Sequence, residues 1–160
     1  MSRPIGSGGS YQDRTPERTL DQLWPGYLRD GYFDAEGCLR LDYVRREKVE
    51  PLIREMAQRA RPKLTSNQLR RFFSHCRAIE AELRAKTASW ETKRADFAML
   101  DVAAADAFGK EQKKIPKLFH DFIRQNVAAV RNQKDFLEGF LRHFEALVGF
   151  GAAYLDNERK

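Results

Sequence analysis

The run Leu64-Thr65-Ser66-Asn67-Gln68-Leu69-Arg70-Arg71-Phe72-Phe73 dictates where a helix must begin. Thr65 suits the N-cap, where its hydroxyl accepts a hydrogen bond from the Gln68 N–H. Gln68 reaches back to the Thr65 N–H and closes a capping box. Leu64 and Leu69 stand at the two positions of a hydrophobic staple. Beyond the cap, Leu69, Phe72, Phe73, Cys76, Ile79 and Leu83 recur at helical spacing. Arg70, Arg71, Arg77 and Arg84 fall off that stripe and must face water or an anion. The spacing predicts a helix over 66–86, with Glu80 and Glu82 pairing with Arg84 and Lys86 at the i+4 offset.

The same rhythm continues on both sides. Val49, Leu52, Ile53, Met56 and Ala60 predict a helix that starts between 45 and 49 and ends near 61. Pro51 is tolerable only in its first turn, and Pro62 stops it. A third helix is expected over 89–108, with Trp90, Phe97, Leu100, Ala104, Ala107 and Phe108 buried. The small residues Ala103, Ala104 and Ala105 would allow close helix contact, and Gly109 closes the element. Pro116 fits the first turn of a fourth helix that carries Leu118, Phe119, Phe122, Ile123, Val127 and Val130 to about 132. The last, over 135–155, is capped by Asp135 and carries Phe136, Leu137, Phe140, Phe144, Leu147, Val148 and Tyr154. Gly139, Gly149 and Gly151 each cost about 1 kcal/mol of helix propensity, which makes sense where another helix crosses closely. The expected fold class is all-α: a compact bundle of about five helices over 45–160.

Ahead of the bundle, residues 1–16 are rich in Gly, Ser, Pro and Arg and are expected to form a flexible tail. Over 17–44, Trp24, Tyr27, Tyr32, Phe33 and Tyr43 are interleaved with Pro25, Gly26, Gly31 and Gly37. Such spacing predicts an irregular aromatic arm packed on the helices. Asp34-Ala35-Glu36-Gly37 reads as a turn joining short extended pieces at 32–33 and 38–41.

Charge narrows the function classes. Lys and Arg number 29 against 23 Asp and Glu, a net +6. Residues 61–86 hold seven basic side chains against two acidic ones, and residues 110–134 repeat that balance. Both segments are therefore +5, on a chain whose remainder is −4. Two basic segments on an otherwise acidic chain point to a polyanion-facing surface, with solvated helix faces as the competing reading. Arginines can make bidentate contacts to phosphate, and the helix start near Lys63 and Asn67 favours an anion. Contacts of that kind are sequence-independent and salt-sensitive.

Cys38 and Cys76 are too few for a disulfide framework, and no Cys-x-x-Cys pair occurs. No run approaches the roughly 18 apolar residues of a membrane span, and no apolar secretory stretch opens the chain. A cytoplasmic setting with no membrane partner is expected. His75, His120-Asp121 and Asp135 spell the H…HD…D order of metal-dependent phosphohydrolases. The competing reading makes them solvent-facing helix residues, with Asp135 as a cap. His143 is expected at the surface or the bundle edge. With no Gly-rich phosphate loop or G-x-S-x-G motif, neither an enzyme nor a cofactor is expected.

Residues 64–73 resemble the L-T-x-x-Q-[IL]-R-x-[FL] signature of the small subunit of type III-A CRISPR effector (Csm) complexes. Phe140-Leu141-Arg142-His143-Phe144-Glu145-Ala146-Leu147-Val148-Gly149-Phe150 resembles that family's closing F-x-x-[FY]-[ML]-E-A-[LV]-V-[AG]-[FY] helix, with His143 and Phe144 departing from it. Trp24-Pro25-Gly26-Tyr27-Leu28 and Gly31-Tyr32-Phe33-Asp34 resemble an N-terminal arm of some members. The resemblance implies a non-catalytic helical subunit, several copies of which stack beside the crRNA-bearing backbone subunits and help hold the crRNA–target RNA duplex. Nuclease and cyclase activity would belong to other subunits, and the backbone and large subunits are the expected protein partners. Arg70 and Arg71 lie in the matched motif and lead the RNA-facing candidates. Lys63, Asn67 and Arg77 beside them, and Lys114, Lys117, Arg124, Arg131 and Lys134 in the second basic segment, rest on charge and helix position. The alternative is a helical protein–protein adaptor that does not touch RNA.

Overall fold

A computed structural model describes residues 17–111 and 113–155; the expected tail at 1–16 lies outside the described residues. The fold is an all-α bundle. Its elements are α1 (Leu20–Leu23), α2 (Arg46–Arg54), α3 (Ser66–Arg84), α4 (Trp90–Gly109), α5 (Lys117–Ala129) and α6 (Leu141–Gly151). A π-helical turn, Glu55–Arg59, extends α2, and a second, Asp135–Phe140, leads into α6. Phe119, Phe122, Phe136, Phe140 and Phe144, from α5, the second π-helical turn and α6, are all fully buried. Each contributes on the order of 2 kcal/mol of burial.

Local signals explain most boundaries. Thr65 and Gln68 form the expected capping box, with Gln68 N to Thr65 Oγ1 at 3.2 Å and Thr65 N to Gln68 Oε1 at 3.0 Å. Leu64 and Leu69 are both buried, so the staple is in place. Two further boxes were not expected: Thr19 with Gln22 on α1, and Ser89 with Thr92 on α4. Asp34 Oδ1 accepts from the N–H groups of Glu36 and Cys38, Gly37 takes the left-handed φ of 83°, and Phe33 bridges Leu39 as the expected turn requires.

Four local expectations are corrected. Pro51 lies beyond the first turn of α2, because that helix begins at Arg46. The carbonyl deprived of a partner there belongs to Glu47, an exposed residue, so water can serve it. Asn132, not Asp135, caps the last helix: Asn132 Oδ1 accepts from the Asp135 N–H at 2.8 Å, while Asp135 reaches back to the Arg131 N–H at 2.9 Å. Glu82 pairs with Lys93 of α4 at 3.2 Å rather than with Lys86, whereas Glu80 meets Arg84 at 2.8 Å as expected. Of the alanines on α4, Ala104 is buried and Ala103 and Ala105 are exposed, because α4 buries only a thin stripe of Phe97, Leu100 and Ala104. Its outward side carries Met99 and Val102, 51% and 54% exposed.

The arm is bound into the core. Trp24, Tyr27, Tyr32 and Tyr43 are all buried, and a Cβ on Gly139 would come within 2.7 Å of the Tyr32 ring. Gly151 is equally tight against Ile53 of α2, while Gly149 faces open space. His143 overturns the surface expectation, being fully buried. Its Nδ1 lies 2.6 Å from the Tyr43 carbonyl, which only accepts, so Nδ1 carries the proton. Nε2 then accepts from the Tyr27 hydroxyl at 2.7 Å. The Tyr27 oxygen accepts from Asn126 Nδ2 at 2.8 Å, and Asn126 Oδ1 accepts from Tyr32 at 2.8 Å. The second Asn126 amide proton goes to the Phe122 carbonyl. Burial pushes the His143 pKa down to about 4 and raises those of Tyr27 and Tyr32 well above normal. A protonated imidazole would point Nε2–H at the Tyr27 oxygen, which already accepts from Asn126, and leave the Tyr27 hydroxyl proton without an acceptor, so this chain is satisfied only with neutral His143.

Candidate nucleic-acid interface

The firm start of α3 gathers several cations that are not neutralised within the fold. Arg70 and Arg71 are exposed and have no ion-pair partner among the described residues. Successive helical residues point about 100° apart. Accordingly, Arg70 borders a groove with Val148, Ala152 and Leu155 beside α6, while Arg71 borders one with His75, Met99 and Ala103 beside α4. Lys63 is exposed just before the cap, and Asn67 is exposed in the first turn. Gln68 does a second job that sequence reading missed. Its Nε2 donates to the Lys114 carbonyl and ties the 110–116 connector against α3. The bond brings exposed Lys114 to the same shoulder, so the two basic segments meet at a single helix start.

The other candidates are partly or wholly engaged. Arg77 meets Glu80 at 3.3 Å and Glu145 at 3.9 Å, and its guanidinium lies 5.7 Å from the Phe73 ring centroid. Lys117 and Arg124 share one carboxylate: Asp121, largely buried, accepts from them at 2.7 and 3.2 Å. Their i+4 and i+3 spacings around Asp121 carry this pairing in the sequence itself. Lys134 donates to the Gly37 carbonyl at 3.2 Å and sits 4.4 Å from the Phe33 ring centroid, fastening the arm. Arg131 is exposed and lies 14 residues beyond Lys117, roughly 20 Å away along α5. Arg131 and Lys134 therefore do not join the α3 shoulder.

The residues of the H…HD…D order do not converge. His75 Nε2 pairs with the Asp96 carbonyl at 2.7 Å. His120 stacks on Phe108 at 4.8 Å, and its pKa is lowered mainly by burial against the opposing pull of Asp121. Asp121 holds its two cations and Asp135 holds the turn before α6. Among the described residues, no group of three or more His, Cys, Asp or Glu is placed to hold a metal ion. Among the same residues, no helix is long and apolar enough to cross a membrane.

Residues 46–157, more than half of the chain, match the family model Csm2 Type III-A. The chain belongs to the Csm2 family. No curated protein and no solved structure matches it. As a Csm2-family chain it is a small subunit of the type III-A CRISPR effector and a member of the Csm complex beside its other subunits. The match takes in α2 to α6, including the α3 shoulder, and begins after the arm. His143, one of the two departures from the closing-helix pattern, is the residue that receives Tyr27 and Tyr43 from that arm.

Proposed function

We propose that this Csm2-family subunit helps hold the crRNA–target RNA duplex in antiviral defence, through sequence-independent contacts to the RNA backbone in the cytoplasm. Several copies stack along the complex, and no chemistry is carried out by this subunit. The observation that supports this most is the pair Arg70 and Arg71, exposed without carboxylate partners among the described residues on a helix whose start is fixed by a complete capping box. Lys63, Asn67 and Lys114 surround them, so cationic groups and first-turn amides face outward together. Lys117, Arg124 and Arg77 are partly neutralised and serve as a weaker margin. Arg131 and Lys134 meet RNA only where the strand continues past the far end of α5.

The Arg70→Glu/Arg71→Glu double variant tests this reading. Both sites are exposed, so the fold is retained. RNA affinity at moderate salt should fall about tenfold or more, and the salt slope should become shallower by about two. Equal affinity and an equal slope would sink the assignment of this face.

The adaptor reading has one observation in its favour, the outward side of α4. Ala95, Ala98, Val102 and Ala105 alternate at the three- and four-residue spacing of a helix-pairing seam, and all are exposed. A neighbouring copy packed along this seam fits a stacked arrangement. Val102→Glu/Ala105→Glu should break assembly with other copies while leaving RNA affinity of the single chain unchanged.

A further inference from the structure

Away from the α3 shoulder, a groove of about 360 Å³ runs between α4 and α5. Its wall is apolar: Ala95, Phe97, Ala98, Val127 and Val130, with the indole of Trp90 at one end. Trp90 is only half-buried, its ring stacked on Phe136 at 5.5 Å and tilted against Phe97 at 5.8 Å. Arg94 of α4 and Arg131, just beyond α5, also line it. Among the described residues, no carboxylate lines the groove. Arg131 has no ion-pair partner among the described residues, and Arg94 keeps only an exposed 3.6 Å pair with Glu91. A rigid aromatic surface with an apolar floor and two available arginines matches a planar base carrying phosphate on either side. Each base has a π-face, so such a pocket is indifferent to base identity while still requiring a base.

We propose that the Trp90–Arg94–Arg131 groove takes one unstacked nucleotide of RNA, its base against the indole and apolar floor and its phosphates held by the two arginines. This site rests on the RNA-holding reading above but is separate from the α3 shoulder. The shoulder holds backbone without regard to bases, whereas the groove makes binding depend on a base being present.

The test compares a ten-residue oligouridylate with an abasic oligomer of equal length and charge on the full chain. Trp24 is 6% exposed, so quenching of tryptophan fluorescence on binding reports Trp90. Oligouridylate should quench the emission and bind at least about fivefold tighter than the abasic chain, the low end of one base–aromatic stack. Arg94→Gln/Arg131→Gln changes two exposed side chains and should reduce that preference to less than about twofold. Trp90→Phe, which keeps an aromatic face, should retain most of it. Equal binding of both oligomers by the wild-type chain, without quenching, overturns the groove and leaves the backbone-holding reading standing. Binding of neither overturns both. Quenching by an Asp- and Tyr-rich peptide but not by the oligomer makes the groove a protein contact and also overturns the proposal.

Discussion

The buried chain beneath the arm and the basic shoulder at the start of α3 treat their polar groups in opposite ways. Beneath the arm, Tyr27, Tyr32, Asn126 and His143 satisfy one another and the Phe122 and Tyr43 carbonyls in a dry interior. On the shoulder, Arg70 and Arg71 stand in water with no carboxylate paired to them among the described residues. Hydrogen bonds of the first kind hold one arrangement of the fold and leave nothing over for a ligand. Charges of the second kind add little to stability and keep their full capacity for an anion. The cations of α5 fall between, since Lys117 and Arg124 are exposed but bound to Asp121. A count of basic residues treats all three groups alike; the partner of each charge separates them.

The largest effect should come from breaking the satisfied side. His143→Ala leaves the Tyr27 hydroxyl proton without its acceptor and the Tyr43 carbonyl without its imidazole donor, and opens a cavity between arm and α6. The expected loss is about 3 kcal/mol or more, read from urea unfolding. A loss below about 1 kcal/mol would mean that the arm is held by its aromatic packing alone. The same residue sets a pH dependence. Its folded pKa is depressed to about 4, whereas an unfolded histidine titrates near 6.5. As pH falls below about 6.5 the unfolded chain takes up the proton first, so stability is full above that value. It is then lost progressively down to about pH 4, by a total near 3 kcal/mol. His143→Phe should remove this component while keeping the aromatic bulk, so the difference between the two unfolding curves against pH isolates it.

Much of the bundle was legible because its signals are local. The Thr65–Gln68 box, the Leu64–Leu69 staple and the Asp34–Gly37 turn depend on residues a few positions apart, and the structure contains all three. His143 was illegible for the opposite reason. Its polar flank, Arg142 and Glu145, is exposed, and the groups that justify its burial lie 100 and 116 residues away. Ala103 and Ala105 misled because small residues permit a close crossing without requiring one. Arg70 and Arg71 were visible as off-stripe residues of a recognisable motif, but their freedom from carboxylates depended on what α4 and α6 placed nearby. The convergence of Lys114 on the same shoulder hangs on a single long-range bond from Gln68, which its capping role gave no reason to expect.

On the unsatisfied side, Arg70→Glu/Arg71→Glu should leave thermal stability within about 0.5 kcal/mol of wild type, even as RNA affinity drops by an order of magnitude. That dissociation of stability from binding is the inverse of the His143 result. If the double variant unfolds appreciably more easily, the two arginines contribute to the fold and the contrast between the regions fails.

The smallest effect probes the intermediate case. Asp121→Asn keeps the shape of a largely buried side chain but removes the charge that Lys117 and Arg124 share. Both cations keep more than half of their side-chain exposure and remain solvated, so the stability cost should be about 1 kcal/mol rather than that of an orphaned buried charge. Their release adds one net positive charge to the α5 face, and RNA affinity should rise by about twofold, with a slightly steeper salt slope. That gain would extend the RNA-facing surface from the α3 shoulder along α5. An unchanged affinity would confine the contact to the shoulder and leave Asp121 with a structural task, holding two cations that the RNA never meets.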